Sequence, residues 1–396
     1  MIGLAVGPLQ ESARIETNLR CHSMFQSPRG EWIMVGRGGL GLHVILVGLL
    51  VGVLALGSSL SITRAGPARR LVVYSAAPLD FTETLKRDFE AANPGVTVDI
   101  LAGLGAEAII SRLEAEKASP RADIMHSGAL TAYVEAVRRG VLATTVPREV
   151  AGVFPGTLFL GGSKIALQDP KGRWYVFGME LGAIGYNRDR VAALRLPPPK
   201  TWSDLLNPVY KGHVLFNMPQ LSSSAFATLV AHHQMLGVDR VWPFWDRLNE
   251  NITFYSRSTS QVYALLSRGE VPISFGVDRS YYVDRAQGAP IEVVYPTEGS
   301  WVFALTMGMV NGAPNPDLAK AFMRFIMSPA GQVHVANQFA IPIRAGVKAT
   351  THNLDVSLDA MVRQVTKLTV IDNDLAERVR PEIVRRFDAY TSGRAR

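Results

Sequence analysis

Ser222-Ser223-Ser224 stands directly before a helical stretch that begins near Ala225. Free backbone N–H groups and the positive end of the peptide dipole make such a place receptive to an oxyanion, and hydroxyls add donors. Serine is also the ordinary helix cap, so capping and ligand contact remain open side by side. Gly103-Leu104-Gly105 precedes another helix, where glycine permits close backbone approach or simply a tight turn. Ser75-Ala76 and Ser127 each follow an apolar, strand-like run. Arg279 can pair with a phosphonate or carboxylate, or it is an ordinary surface charge. Beside it, Tyr281-Tyr282 puts two phenols next to each other. Phenolate is a hard donor suited to Fe(III), while aromatic packing at a helix start explains the pair equally well.

Other chemistries find little support. His232-His233 are adjacent, so on a helix they diverge and cannot chelate together. Gly161-Gly162-Ser163-Lys164 lacks the spacing of a phosphate-binding loop, and neither HExxH nor GxSxG occurs. No nucleophile and base can be named, which disfavours a hydrolase or transferase and any catalytic role. His126 at a strand end is a ligand, a donor or a structural hydrogen-bonder. Glu180 reads as an exposed or salt-bridged acid that also has a route to a cleft.

The elements holding these residues alternate. Leu71–Tyr74 is a short apolar run; Phe81, Leu85 and Phe89 then recur at helical spacing until Asn93-Pro94-Gly95. Val96–Leu101 and Ala122–Met125 are further strands with helices between. A second unit opens near Trp174 and repeats the alternation through His213–Asn217, Asn251–Tyr255, Pro272–Val277 and Ile291–Tyr295. The pattern implies an α/β fold with mostly parallel sheets and crossover helices. Ligands of such sheets sit beyond the carboxyl ends of the strands, where Ser75–Pro78, Gly103–Gly105 and His126–Gly128 fall.

Composition narrows the class. The 396 residues are 47% hydrophobic and 19% charged, enough for two ordinary domains. The net charge of +7 is scattered, which disfavours nucleic acid and weakly favours an anionic ligand. Cys21 is the only cysteine, so no disulfide is available. From Gly38 to Thr63 no residue is charged; Arg37 precedes this run, and Arg64-Ala65 follows it. Residues 34–65 therefore read as a secretory signal peptide, with an uncleaved anchor through residues 38–58 as the rival. Residues 1–33 read as an unstructured or extraneous extension.

Together these segments resemble a known family. Leu71-Val-Val-Tyr-Ser, Phe89-Glu-Ala-Ala-Asn-Pro-Gly-Val, Ser119-Pro-Arg-Ala-Asp123 and Thr201-Trp-Ser-Asp-Leu-Leu-Asn-Pro-Val-Tyr-Lys-Gly212 are similar, in order, to bacterial ABC-importer solute-binding proteins. Gly269-Glu-Val-Pro, Gly312-Ala-Pro-Asn-Pro-Asp and Ser328-Pro-Ala-Gly-Gln332 extend the likeness. The subgroup it resembles contains ferric-iron, phosphonate and phosphosugar binders. The resemblance implies a two-lobed type II periplasmic-binding fold with crossing hinge strands. Lobe one then takes 71–172 plus 298–345, and lobe two takes 173–297 plus 346–396. It also implies a monomer outside the cytoplasm that closes over a small solute and serves an inner-membrane permease and ATPase, with no resident cofactor. Two solutes follow from it: an oxyanion such as a phosphonate, phosphate ester or carboxylate, or Fe3+ as cargo held by Tyr281 and Tyr282. Ala77-Pro78 and His126-Ser127-Gly128 stand where ferric relatives often have a histidine and an acid, which weakens the iron reading.

Overall fold

The computed structural model describes residues 69–145, 156–160, 163–357, 360, 363–365 and 367–392. Cys21, the signal segment and the first 33 residues lie outside them.

The chain builds one sheet that passes through two lobes. Three strands form one end: β1 (Arg69–Ser75) lies parallel to both β2 (Val96–Leu101) and β3 (Ile124–His126). Helices α1 (Leu79–Ala92), α2 (Ala106–Ala115) and α3 (Leu130–Arg138) follow these strands in turn. Phe81, Leu85 and Phe89 of α1 are all buried, so the helical spacing in the sequence marks a packed face. After α3 comes an antiparallel hairpin, β4 (Thr157–Leu160) with β5 (Ser163–Ala166).

The long strand β6 (Tyr175–Asn187) then crosses to the second lobe. There β7 (Val214–Asn217) runs parallel to β8 (Ile252–Ser256) and to β9 (Ile273–Val277). The helices are α4 (Arg188–Ala193), α5 (Ser223–Leu236), α6 (Val238–Asn251), α7 (Thr259–Ser267) and α8 (Asp278–Ala286). Strand β10 (Ile291–Val294) pairs with β6, and β11 (Ser300–Met309) returns to the first lobe. There α9 (Pro316–Met327), α10 (Pro329–Asn337) and β12 (Ile341–Pro342) follow, then β13 (Leu368–Val370) beside β11 and the closing helix α11 (Asn373–Thr391).

Strand order is β2-β1-β3-β11-β6-β9-β7-β8, with β10 and β12 on β6 and β13 on β11. Among the described residues, β6 and β11 are the strands that belong to both lobes. All ten residues of β11 are buried, as expected of a strand covered on both faces. Close packing at the crossing depends on missing side chains. A Cβ at Gly182 would lie 2.3 Å from the Trp301 ring, and one at Gly185 would lie 2.4 Å from Tyr281.

Each lobe has its own core. The first gathers Phe81, Phe89, Phe177 and Phe322; the second gathers Trp202, Phe216, Trp245 and Phe275. Helix α11 packs Ala376, Ile383 and Phe387 into the second core. Among the described residues no helix is long and apolar enough to cross a membrane.

Candidate functional site

The parallel strands of both lobes point their carboxyl ends at the gap beside β6 and β11. Phe81, in the first turn of α1, is the meeting point. The Arg279 guanidinium, from the start of α8 in the other lobe, lies 5.1 Å from its ring centre, a cation–π arrangement. The His126 ring centre is 6.0 Å from that of Phe81 and stacks on Phe177 at 4.8 Å. Arg279 is 4% exposed. One of its terminal nitrogens reaches Gln338 Oε1 at 3.5 Å, while Nε has no partner.

On the first-lobe side the turn after β3 is unusual. Ser127 has φ of +64° and Gly128 of +104°. A Cβ at Gly128 would sit 2.9 Å from that of Ala106, so only glycine fits there without displacement. The turn delivers the chain into α3 through Ala129, which supplies no capping side chain, and no acid lies in the first turn of α3. Its leading N–H groups are therefore free of side-chain acceptors. Helix α1 starts from Pro78 and α2 from Gly105, again without side-chain caps, although Asp80 and Glu107 are acids in their first turns. A cavity of about 160 Å³ adjoins the start of α3, lined by Ala129, Thr131, Ala227, Phe303, Lys164 and Asn373.

Two residues expected here are occupied by structure. The Ser75 hydroxyl is fully buried, 2.9 Å from His126 Nδ1 and 3.1 Å from Thr82 Oγ1, and it accepts the Ala77 N–H. Burial holds His126 neutral, with its pKa down to about 3, and Nε2 is unpartnered. Ala76 packs beside the Gly128 position, and Gly103, at φ +84°, has open space around it.

On the second-lobe side, Ser222 caps α5 by accepting the Ala225 N–H, and its hydroxyl lies 3.1 Å from that of Ser224. Asn217 Nδ2 donates to Thr259 Oγ1 at 3.0 Å, while its carbonyl oxygen is a buried acceptor without a partner. Ser223 is half-buried at the first position of α5. Asp278, next to Arg279, is saturated: it accepts from the Leu181 N–H at 2.9 Å and the Tyr295 hydroxyl at 2.7 Å. Burial raises its pKa to about 6 against the pull of those bonds.

The tyrosine pair faces inward. Tyr281 is fully buried, with its hydroxyl 3.0 Å from Ser274 Oγ. The hydroxyl of Tyr282 meets that of Tyr295 at 3.1 Å. Burial, then the nearby Tyr263, push Tyr281 upward, and burial with the Asp278 charge pushes Tyr282 to about 12. Among the described residues no group of three His, Cys, Asp or Glu side chains could hold a metal.

Glu180 departs from its sequence reading. It sits on β6 opposite Phe303 of β11, is 8% exposed, and makes no ion pair among the described residues. Burial lifts its pKa to about 7, Arg279 draws it down, and Asp278 pushes it up. Asn217 is the functional candidate that the sequence reading passed over. Its place at the carboxyl end of β7 was the available signal.

The bacterial extracellular solute-binding protein family matches residues 132–374, more than half of the chain. The chain belongs to this family. Relatives of this solute-binding protein include one from Salmonella typhimurium, provisionally named as a 2-aminoethylphosphonate-binding periplasmic protein. It is 21% identical over 67% of this chain and 75% of its own length. Iron uptake protein A1 of Synechocystis is 25% identical over 71% and 78% respectively. Among solved structures, the periplasmic binding protein AfuA of Actinobacillus pleuropneumoniae, with fructose-6-phosphate bound, superposes with a TM-score of 0.69. It is 24% identical and covers 82% of this chain and 98% of AfuA. The two-lobed fold is thus that of the type II periplasmic-binding proteins.

Proposed function

We propose that the protein captures a small oxyanion-bearing solute between its lobes and passes it to an ABC importer outside the cytoplasm. The ligand is a phosphonate, phosphate ester or carboxylate. The observation that carries this reading is Arg279, a buried guanidinium that reaches from lobe two onto Phe81 of lobe one with donors to spare. Buried charges need partners, and Arg matches the planar geometry of an oxyanion. The uncapped start of α3 offers backbone donors on the facing lobe. Ser127, Gly105 and Gly103 frame that side, with Ala76 and Ser75 behind. Ser223 and Ser224 frame the other side, next to Ser222. A solute touching both lobes binds the closed arrangement best and shifts the population toward it. The phosphonate-named Salmonella relative fits this reading.

Ferric capture, suggested by the Synechocystis relative, would require Tyr281 and Tyr282 to leave Ser274 and Tyr295 and to ionise against their burial. Thermal unfolding with ethylphosphonate, inorganic phosphate and ferric citrate decides between these. Oxyanion capture predicts a midpoint that climbs with phosphonate concentration. A visible charge-transfer band after ferric loading, with no response to any oxyanion, would sink it.

A further inference from the structure

Along one edge, β11 runs between two partners that do not meet. It pairs with β3 over residues 307–309 and with β13 over residues 300–302, so residues 303–306 face no strand on that side among the described residues. The cavity of about 160 Å³ lies beside this interval. Both lobes line it: the start of α3, from Ala129 to Thr131, on one side, and Ala227 of α5 and Asn373 of α11 on the other. Most of the remaining wall is apolar, from Ile165, Val302, Phe303, Ala304, Val370 and Ile371. No acid lines the cavity, and its one charged residue, Lys164, is exposed. Thr131 and Asn373 are the other polar side chains in the wall, and Asn373 Oδ1 has no partner.

The oxyanion reading puts backbone donors at the start of α3, and that start is one wall of this cavity. A solute held there has the cavity beside it for the rest of its body. A sugar would bring several hydroxyls, of which Thr131 and Asn373 could meet one or two. The others would be buried without partners, at a cost. A hydrocarbon group needs no partner and gains by leaving water. An apolar cavity of about 150 Å³ accepts benzene, which sets the size of that group at about four to six carbons. Resting on the oxyanion reading, we infer that the solute is an oxyanion with a compact hydrocarbon body, a short alkyl or aryl phosphonate or carboxylate. Its body fills this cavity and its charged end meets the start of α3. Because the walls come from both lobes, burying that body favours their closed arrangement.

Calorimetric titration of the full chain tests this with three probes that share one head group. They are methylphosphonate, butylphosphonate and 3,4-dihydroxybutylphosphonate. The added methylenes should make the wild type bind the butyl probe at least about tenfold more tightly than the methyl one. The heat-capacity change should be more negative for butyl, and the dihydroxy probe should lose the margin. Ala227→Leu and Val370→Phe each put carbon into the cavity and should bring the butyl-to-methyl affinity ratio down to about one. Equal binding of the methyl and butyl probes by the wild type overturns the hydrocarbon assignment and leaves the oxyanion reading standing. So does a dihydroxy probe that binds as tightly as the butyl one. So does a ratio that survives both substitutions in variants whose unfolding remains cooperative. If none of the three probes binds the wild type, the oxyanion reading falls, and this inference falls with it.

Discussion

In lobe one, three helices start from Pro78, Gly105 and Ala129 with no side chain closing their first turns, whereas in lobe two Ser222 and Ser258 each close theirs. The charged groups show the reverse asymmetry. Lobe two supplies Arg279, and Glu180 stands on the crossing strand beside it. Lobe one offers backbone N–H groups around a left-handed turn. On the proposed reading, one side would hold the ligand by fixed peptide dipoles, and the other would read it by charge. Peptide dipoles cannot be altered one residue at a time, while side-chain charges can. Specificity should accordingly be easier to change in lobe two.

The largest effect should come from Arg279→Met, which keeps an apolar stem against Phe81 and removes the charge. Affinity for ethylphosphonate should fall at least about a hundredfold, or roughly 2.7 kcal/mol, in a calorimetric titration. A smaller loss would shift the weight of capture to lobe one.

Next in size is the pH response set by Glu180. Its folded pKa, about 7, exceeds its usual 4.5, so the folded state binds the proton more tightly than the unfolded chain. Stability from this group is complete below about pH 4.5 and is lost as pH rises through 7, by at most about 3 kcal/mol. Arg279, Asp278 and Tyr263 share its surroundings, and Asp278, raised to about 6, acts in the same direction. Urea unfolding of Glu180→Gln between pH 5 and about 8 should show a flatter profile than the wild type.

Gly128→Ala attacks the lobe-one turn, where φ is +104° and the new methyl meets Ala106. It should cost about 1–3 kcal/mol in urea unfolding and weaken oxyanion binding as well. Ser222→Ala should cost only about 1 kcal/mol, the worth of a cap. A large loss of affinity in that variant would instead turn the hydroxyl from a cap into a ligand contact.

Much of the scaffold could be read directly, because burial leaves a period in the sequence. Leu71–Tyr74 and the triplet Phe81, Leu85 and Phe89 mark a strand and a helix face that the structure contains. The hairpin β4–β5 escaped, since eight residues with exposed Phe159 and Lys164 carry no clear alternation. The site was harder to read. Whether Ser222 caps or binds depends on where its oxygen points, which residue type does not specify. Adjacent residues on a helix face different ways, so Tyr281 and Tyr282 would not both be expected inside. Both are buried, because Gly185 opens β6 to one ring and Tyr295 receives the other hydroxyl. Glu180 passed for an ordinary acid because one charge among apolar residues does not announce that its counter-charge lies a hundred positions away.

Among the described residues two strands, β6 and β11, run between the lobes, paired from Val302 opposite Leu181 to Met307 opposite Tyr175 with a register shift between Leu305 and Thr306. A change of angle between the lobes would be taken up partly as twist in this ribbon, since sliding would break its ladder. At the second-lobe end of this ribbon Gly182 lies against the Trp301 ring, leaving no room for a side chain without displacement. A bulkier residue at that point would reset the resting angle of the jaws without touching anything that meets the solute.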